Sequence, residues 1–331
     1  MHKKFLQFLT DPATKEDLQV TVIDSIGENI ITGSLFSSSN NYPIIRGIPR
    51  FIDKEQSQKY TKSFGFQWTR WPTLQFESKN LGKPMEGHTR DMFARITGLL
   101  DSRIDQKVIA DFGCGSGRFL ELIAENGGVG IGLDLSDSVE AAGEKFKDNE
   151  NILICQADIL NSPLRNKCTD FSYSIGVLHH TPSFAQGVSE MSRSTKQAGR
   201  IAISVYAPYG YYDSNIVRLY RRFFRVTKPI FGYSLALIYS YIIIVLTRPI
   251  DRNKLLRIAL NPILSYFPRM QLKSIWWSIL DTFDSLTPQY QRGISSFELY
   301  TAMHESSIIN IRPVRWGGTS MCGEVESKDF E

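Results

Sequence analysis

Residues 108–120 read VIADFGCGSGRFL. An apolar run ends in glycines at the alternate positions 113, 115 and 117, and apolar, helix-forming residues then resume. Such a segment has few ways to fold: a buried strand, a sharp glycine turn and a helix. Glycine has no Cβ, so it permits left-handed backbone and the close approach of a ligand. The helix that follows presents unpaired N–H groups at its start. A loop of this kind cradles the polar part of a nucleotide-like cofactor, with Asp111 near the strand end. The spacing narrows the choice. A dinucleotide fingerprint is G-x-G-x-x-G with a ribose-binding acid about 20 residues further on. Here the third glycine comes one residue sooner, and an acid precedes the loop.

The downstream order supplies the context. Residues 129–136 (VGIGLDLS) read as a second strand ending in Asp134, and residues 151–160 (NILICQADIL) as a third ending in Asp158. Residues 170–182 (DFSYSIGVLHHTP) form a fourth strand running into two histidines, and residues 199–206 (GRIAISVY) a fifth. Helical stretches or turns separate them, so strands alternate with helices and a parallel sheet follows. Ligands on such sheets bind beyond the carboxyl ends of the strands, where these acids, glycines and histidines fall.

The G-x-G-x-G loop and the acids in this order resemble the class I methyltransferases that use S-adenosyl-L-methionine (SAM). The resemblance covers residues 100–205 closely and 281–325 more loosely. It implies an α/β fold: a Rossmann-like, seven-stranded methyltransferase sheet whose last two strands come from residues 308–314 and 318–325. By position, it implies that Gly113, Cys114, Gly115 and Gly117 form the cofactor loop, with Asp111 on the methionine amino group. Asp134 would hold the ribose, Asp158 and Ile159 the adenine, and Gly176 the amino end, with Leu135 also among the cofactor-binding residues. His180 or His179 would serve as base where the acceptor is a hydroxyl or a protonated amine, since an unperturbed imidazole titrates near neutrality. An orienting role for these histidines is the alternative.

Flanking segments divide the chain further. Residues 1–55 read as a small β-rich unit. Leu9, Asp11, Pro12 and YPIIRGIPRF at 42–51 resemble the small activator-type domain fused to some methyltransferases, without its paired cysteines, so no metal is expected. Residues 56–100 form an aromatic arm and a helix from about 91 to 100. Tyr60 and Phe64 are candidate lid residues over a sulfonium, because a cation over an aromatic face is favoured. His88 and Arg90 could line the pocket, and solvent is the preferred place for His88. Residues 101–205 form the cofactor-binding core, 206–280 a helical insertion, and 281–331 the remainder of the core. Tyr206 and Tyr290 are candidate substrate residues. Asp281 and Asp284 could also reach the substrate mouth, and they read at least as well as helix caps.

Charge is concentrated in the insertion. Residues 206–280 hold 11 Lys or Arg, 2 Asp and no Glu, in a chain of net charge +4. Between Lys228 and Arg248 lie 19 uncharged residues, which approaches a membrane span. A single crossing would strand the last two β-strands, so a buried lid or an interfacial segment is expected instead. The four cysteines make no C-x-x-C pair, and reduced thiols suit the cytoplasm. The N-terminus does not read as a secretory signal.

These readings predict a SAM-dependent methyltransferase acting on a small hydrophobic or lipid-like acceptor. No DNA partner is expected, RNA is disfavoured, and residues 206–280 could make peripheral membrane contact. Localisation is expected to be cytoplasmic, with membrane association left open. An RNA methyltransferase and a non-catalytic partner of the same fold are the alternatives. Oligomeric state and the acceptor atom are not legible.

Overall fold

A computed structural model of the chain describes residues 1–52, 61–101, 104–226 and 229–327. The N-terminal residues form a 3₁₀ turn and four antiparallel strands: β1 (Gln19–Ile26), β2 (Asn29–Phe36), β3 (Asn41–Ile45) and β4 (Ile48–Pro49). The Leu9-Asp11-Pro12 motif has a local physical reason. The Asp11 carboxylate accepts hydrogen bonds from the Ala13 and Thr14 amides, Ser37 Oγ, Asn40 Nδ2 and Tyr42 Oη, which ties three segments together. Against the effect of burial, which would raise its pKa, these bonds hold it down to about 2.

Two helices follow, α1 (Lys62–Arg70) and α2 (His88–Thr97). The sequence predicts the second over 91–100. It starts and stops three residues earlier, because Gly87 and Gly98, both at positive φ, bracket it.

The central layer then alternates strand and helix, except that only a 3₁₀ turn (Ile159–Asn161) separates β7 from β8: β5 (Val108–Phe112), α3 (Arg118–Glu125), β6 (Val129–Asp134), α4 (Val139–Phe146), β7 (Ile152–Gln156), β8 (Thr169–Ile175), α5 (Phe184–Ser194) and β9 (Thr195–Val205). Four insertion helices come next: α6 (Asn215–Val226), α7 (Pro229–Arg252), α8 (Lys254–Leu264) and α9 (Ile275–Leu286). The chain closes with α10 (Ser296–Glu305), β10 (Ile308–Pro313) and β11 (Thr319–Val325). A capping box starts α10, in which Ser295 and Glu298 satisfy each other's backbone N–H groups.

The seven-stranded sheet runs β10-β11-β9-β8-β5-β6-β7. Strands β5 to β9 pair in parallel, and β11 inserts antiparallel between β9 and β10. This is the Rossmann-like methyltransferase sheet. The chain order reverses where β8 and β6 flank β5, so a crevice opens beyond the carboxyl end of β5. The small sheet joins the large one at its edge. The Phe51 amide donates to the Gln156 carbonyl, and Phe5, Leu9, Ile30, Leu35 and Ile44 share a core with Phe112, Leu133 and Leu164.

The insertion is neither wholly buried nor wholly free. Ala236, Ser240, Ile243, Ile244 and Thr247 turn one face of α7 inward, while Ile238, Ile242, Val245 and Leu246 lie exposed on the other. One face of α7 is therefore buried and the other is not. By length and composition, Phe231–Arg252 is the one helix among the described residues apolar enough to cross a membrane. The chain nevertheless returns through α8 and α9 to supply β10 and β11. Arg221 locks the insertion to itself: its buried guanidinium donates to the carbonyls of Ser285 and Tyr212.

Candidate active site

A cavity of about 250 Å³ opens at the carboxyl end of β5. Its floor is the glycine loop. Gly113, Gly115 and Gly117 all adopt positive φ (97°, 54° and 91°), a conformation available to glycine at little cost. Space forbids a side chain there as well: a Cβ on Gly113 would collide with Val177, and one on Gly117 would sit 2.6 Å from the Phe146 ring.

At the tip of β6, Asp134 is fixed by three hydrogen bonds. Its Oδ2 accepts from the Gly115 amide at 2.9 Å, and its Oδ1 from the Ser136 amide and hydroxyl at 2.8 and 2.6 Å. The carboxylate thus couples the loop to the second strand while lining the cavity. Cys114, Leu135 and Ile159 form apolar wall, and Gly176, at positive φ, leaves open space beside it.

The sequence-predicted residues separate into two groups. Phe64, Gly113, Cys114, Gly115, Asp134, Leu135, Ile159, Gly176, His180 and Tyr206 line the one cavity. Asp111, Gly117, Asp158, His179 and Tyr290 do not, and Tyr60 lies outside the described residues. Each exception has a physical cause. Asp111 is 2% exposed within the sheet and accepts a hydrogen bond from Tyr173 Oη. Burial pushes its pKa up to about 7. It braces β5 against β8 and does not line the cavity. Asp158 turns its carboxylate to the Leu160 amide, capping the 3₁₀ turn of Ile159–Asn161. Gly117 serves the start of α3 and the packing of Phe146.

The histidine pair splits for a related reason. Leu178–His180 is a 3₁₀ turn, whose successive side chains point about 120° apart. His180 faces the cavity, while His179 packs against both His180 and Tyr206 with ring centroids 4.0 Å from each. Both His179 nitrogens are buried without a hydrogen-bond partner among the described residues, and burial lowers its pKa well below the usual value. It is a neutral packing residue. His180 Nδ1 lies 2.9 Å from the Tyr290 carbonyl. A carbonyl can only accept, so Nδ1 carries the proton and Nε2 is the ring's acceptor. Burial lowers His180 to about 4, so it is neutral near pH 7. Tyr290 therefore acts through its main chain, and its side chain is half-exposed.

Several cavity residues escaped the sequence reading. Gln67 and Trp68 come from α1, Gln75 from the arm, Met92 from α2, Arg118 from the first turn of α3 and Trp277 from α9, while Asp281 and Asp284, expected at the substrate mouth or as caps, line the cavity from α9. His88 is there too, its ring edge-on to Trp277 and Trp316. Its preferred placement in solvent is corrected: the Trp277 and Trp316 rings half-bury it. Arg90, by contrast, is exposed and paired with Glu125. Arg118 had a signal, since it follows the third glycine directly. Its guanidinium donates to Gln75 Oε1 at 2.8 Å and stacks on the Phe119 ring at 4.4 Å. Asp281 and Asp284 also had one, because their i, i+3 spacing puts both on one helix face. That this face looks into the cavity is a tertiary fact.

The donor set suits a zwitterionic, cationic ligand. Arg118 offers a cation to a carboxylate. Gln67 Oε1 is buried in the cavity wall without a partner among the described residues, and it can accept from an ammonium. Aromatic faces of Tyr206, Trp68 and Phe64 suit a sulfonium. Tyr206 is itself held by stacking on Tyr212 at 4.0 Å and by donation to Asp284 Oδ2 at 3.3 Å.

Asp281 gives a signed pH dependence. Burial first, then the neighbouring Asp284 charge, raises its pKa to about 7, opposed by Arg118. Asp284 moves the same way, to about 6. In the unfolded chain such a group titrates near 3.8. Below that pH both states hold the proton and the group costs nothing. Between 3.8 and about 7 the unfolded chain releases it first, so stability falls as pH rises. Asp281→Asn should therefore melt at a higher temperature than the parent when ligand-free, with a larger gain at pH 8 than at pH 5. Equal gains at the two pH values would contradict the assignment.

The family described as "Methyltransferase domain" matches residues 110–203. Over 117 residues the chain is 31% identical to a tRNA (carboxymethyluridine(34)-5-O)-methyltransferase of Arabidopsis thaliana, covering 34% of this chain and 27% of that protein. It is 35% identical over 85 residues to the Saccharomyces cerevisiae protein of the same description, covering 26% of this chain and 29% of that protein. Among solved structures, a complex between the Haloferax volcanii Trm112 methyltransferase activator and a methyltransferase includes a chain 12% identical to this one. That likeness has a TM-score of 0.47 and covers 81% of this chain and 100% of that chain.

The chain carries a class I methyltransferase domain of the SAM-dependent kind, with S-adenosyl-L-methionine as its cofactor. The match spans less than a third of the length of the curated relatives. These relatives overturn one expectation. The apolar insertion points to a small-molecule acceptor and away from RNA, yet the relatives are described as tRNA methyltransferases. The insertion is a poor guide because its apolar residues partly pack on the protein itself, against Trp71 of the arm and Phe283 of α9.

Proposed function

We propose that this protein transfers a methyl group from SAM to RNA, with tRNA as the first substrate to test. The observation that carries the acceptor class is the similarity of the cofactor-binding core to proteins described as tRNA methyltransferases. The chemistry that SAM supplies when bound is an activated methyl on sulfur, so the protein's task is positioning and exclusion of water. Asp134 would accept hydrogen bonds from the ribose hydroxyls. Leu135 and Ile159 would pack on the adenine, Arg118 would pair with the methionine carboxylate, and Gln67 would accept from the ammonium. His180 stands at the acceptor side with Tyr206. Near neutral pH its Nε2 is an acceptor and its charge is zero, which suits alignment of an acceptor hydroxyl or amine. An acceptor already ionised, such as a carboxylate, needs no base at all.

The test is incubation of the full chain with methyl-labelled SAM and bulk tRNA, followed by digestion to nucleosides and mass spectrometry. Label in a modified nucleoside is the expected result. Protein that binds SAM but leaves tRNA unlabelled, while labelling a small molecule in a cell extract, would overturn the RNA reading.

A further inference from the structure

A second groove, of about 570 Å³, lies on the other side of the wall that bounds the cofactor cavity. It forms where three segments meet: the turn region of the arm, the end of α7 and the turn leading into α9. Lys79, Lys83, Arg248, Arg252 and Lys273 line it, and no acidic residue does. Arg248 spends its guanidinium on the carbonyls of Leu272 and Lys273, and Lys83 bonds the Lys79 carbonyl. Lys79, Arg252 and Lys273 have no carboxylate partner among the described residues. Like charges gathered in a concave surface repel one another and focus a positive potential, which an anion relieves. Beside them stands Trp276, 49% exposed, its ring fixed edge-on against Tyr241 at 5.9 Å. A large, rigid aromatic left half in solvent beside free cations is a stacking platform.

The groove is coupled to the active site by sequence. Trp276 and Trp277 are consecutive on the first turn of α9: the first lines the groove and the second lines the cofactor cavity. Trp277 Nε1 donates to Asn80 Oδ1, and Asn80 also lines the groove. A ligand seated in one is therefore adjacent to the other.

Taking RNA as the substrate of the active site, we propose that this groove holds the RNA's phosphodiester backbone, with one base stacked on Trp276. Concave cations with an interleaved aromatic suit a flexible phosphate strand. A bilayer surface is broad and reaches recessed ammonium groups poorly.

The experiment measures binding of fluorescently labelled tRNA to the full chain across a salt series, with SAM affinity and melting temperature as controls on folding. The triple variant Lys79→Gln/Arg252→Gln/Lys273→Gln should weaken tRNA binding by about tenfold or more at low salt. It should also flatten the log–log salt slope by about 2 to 3, since each phosphate contact contributes roughly 0.7 to 0.9. Trp276→Ala should cost about tenfold with the slope unchanged. SAM affinity should stay at the parent value in both variants. Parent-like tRNA affinity and slope in the triple variant would overturn the groove while leaving the RNA reading intact. A parent chain that binds SAM but no tRNA at low salt would overturn both. Loss of binding to vesicles containing anionic lipid, with tRNA affinity retained, would assign the groove to a membrane and also overturn the proposal.

Discussion

Asp134→Ala should lower SAM affinity by about 100-fold or more, because the carboxylate does two jobs at once. It would hold the ribose hydroxyls, and it already fixes the Gly115 amide and Ser136. Hydrogen bonds to a charged group contribute about 1.5–3 kcal/mol each, and a buried donor left unpaired costs a further 1–3 kcal/mol. Losing two ribose contacts alone predicts two orders of magnitude. Titration calorimetry with SAM or its demethylated product measures this directly. Asp134→Asn should fall between the two, since its single amide oxygen cannot replace both carboxylate oxygens. An alanine variant that binds within threefold of the parent would remove Asp134 from the cofactor site.

The second large effect concerns folding. Trp277 is 2% exposed, forms part of the cavity wall and meets His88 edge-on. Trp277→Ala should destabilise the protein by about 3–5 kcal/mol, the usual cost of emptying such a site, and lower its melting temperature by roughly 10 °C. Trp277→Phe refills most of the volume and loses only the bond to Asn80 Oδ1, so it should recover most of the loss. Denaturant titration of both variants measures the difference. A loss below about 1 kcal/mol in the alanine variant would mean that α9 is not held where the structure places it. Because α9 also carries Asp281 and Asp284, the cavity should open in step with that loss, and SAM affinity should fall too.

The legible parts of this protein share one property: their physics is local. The strand-turn-helix at 108–120 follows from apolar residues, then glycines, then helix formers. Asp134 is legible because it ends a strand whose register is set by its own alternation with neighbours. Ser295 and Glu298 announce α10 through the capping box. Where the backbone sets direction, sequence spacing suffices.

Side-chain direction in loops is another matter. Asp111 and Asp134 look alike in the sequence, each an acid at a strand end. Yet Asp111 sits between strands and meets Tyr173, while Asp134 looks into the cavity. His179 and His180 differ by one position and by about a third of a 3₁₀ turn. The apolar insertion suggested an apolar substrate, although one face of it rests on the protein itself. Arg118 stood in plain view beside the glycines, but its role depends on Gln75 and on acids more than 160 residues away.

The sequence by itself determined the parallel sheet, the glycine floor and the Asp134 anchor, because these depend on neighbours within a strand and its following turn. Only the tertiary structure decided which of two acids and which of two histidines reach the cavity, and that α1 and α9 close it. Those outcomes depend on how segments distant in the chain exclude water between them, and no local pattern of residues encodes that packing.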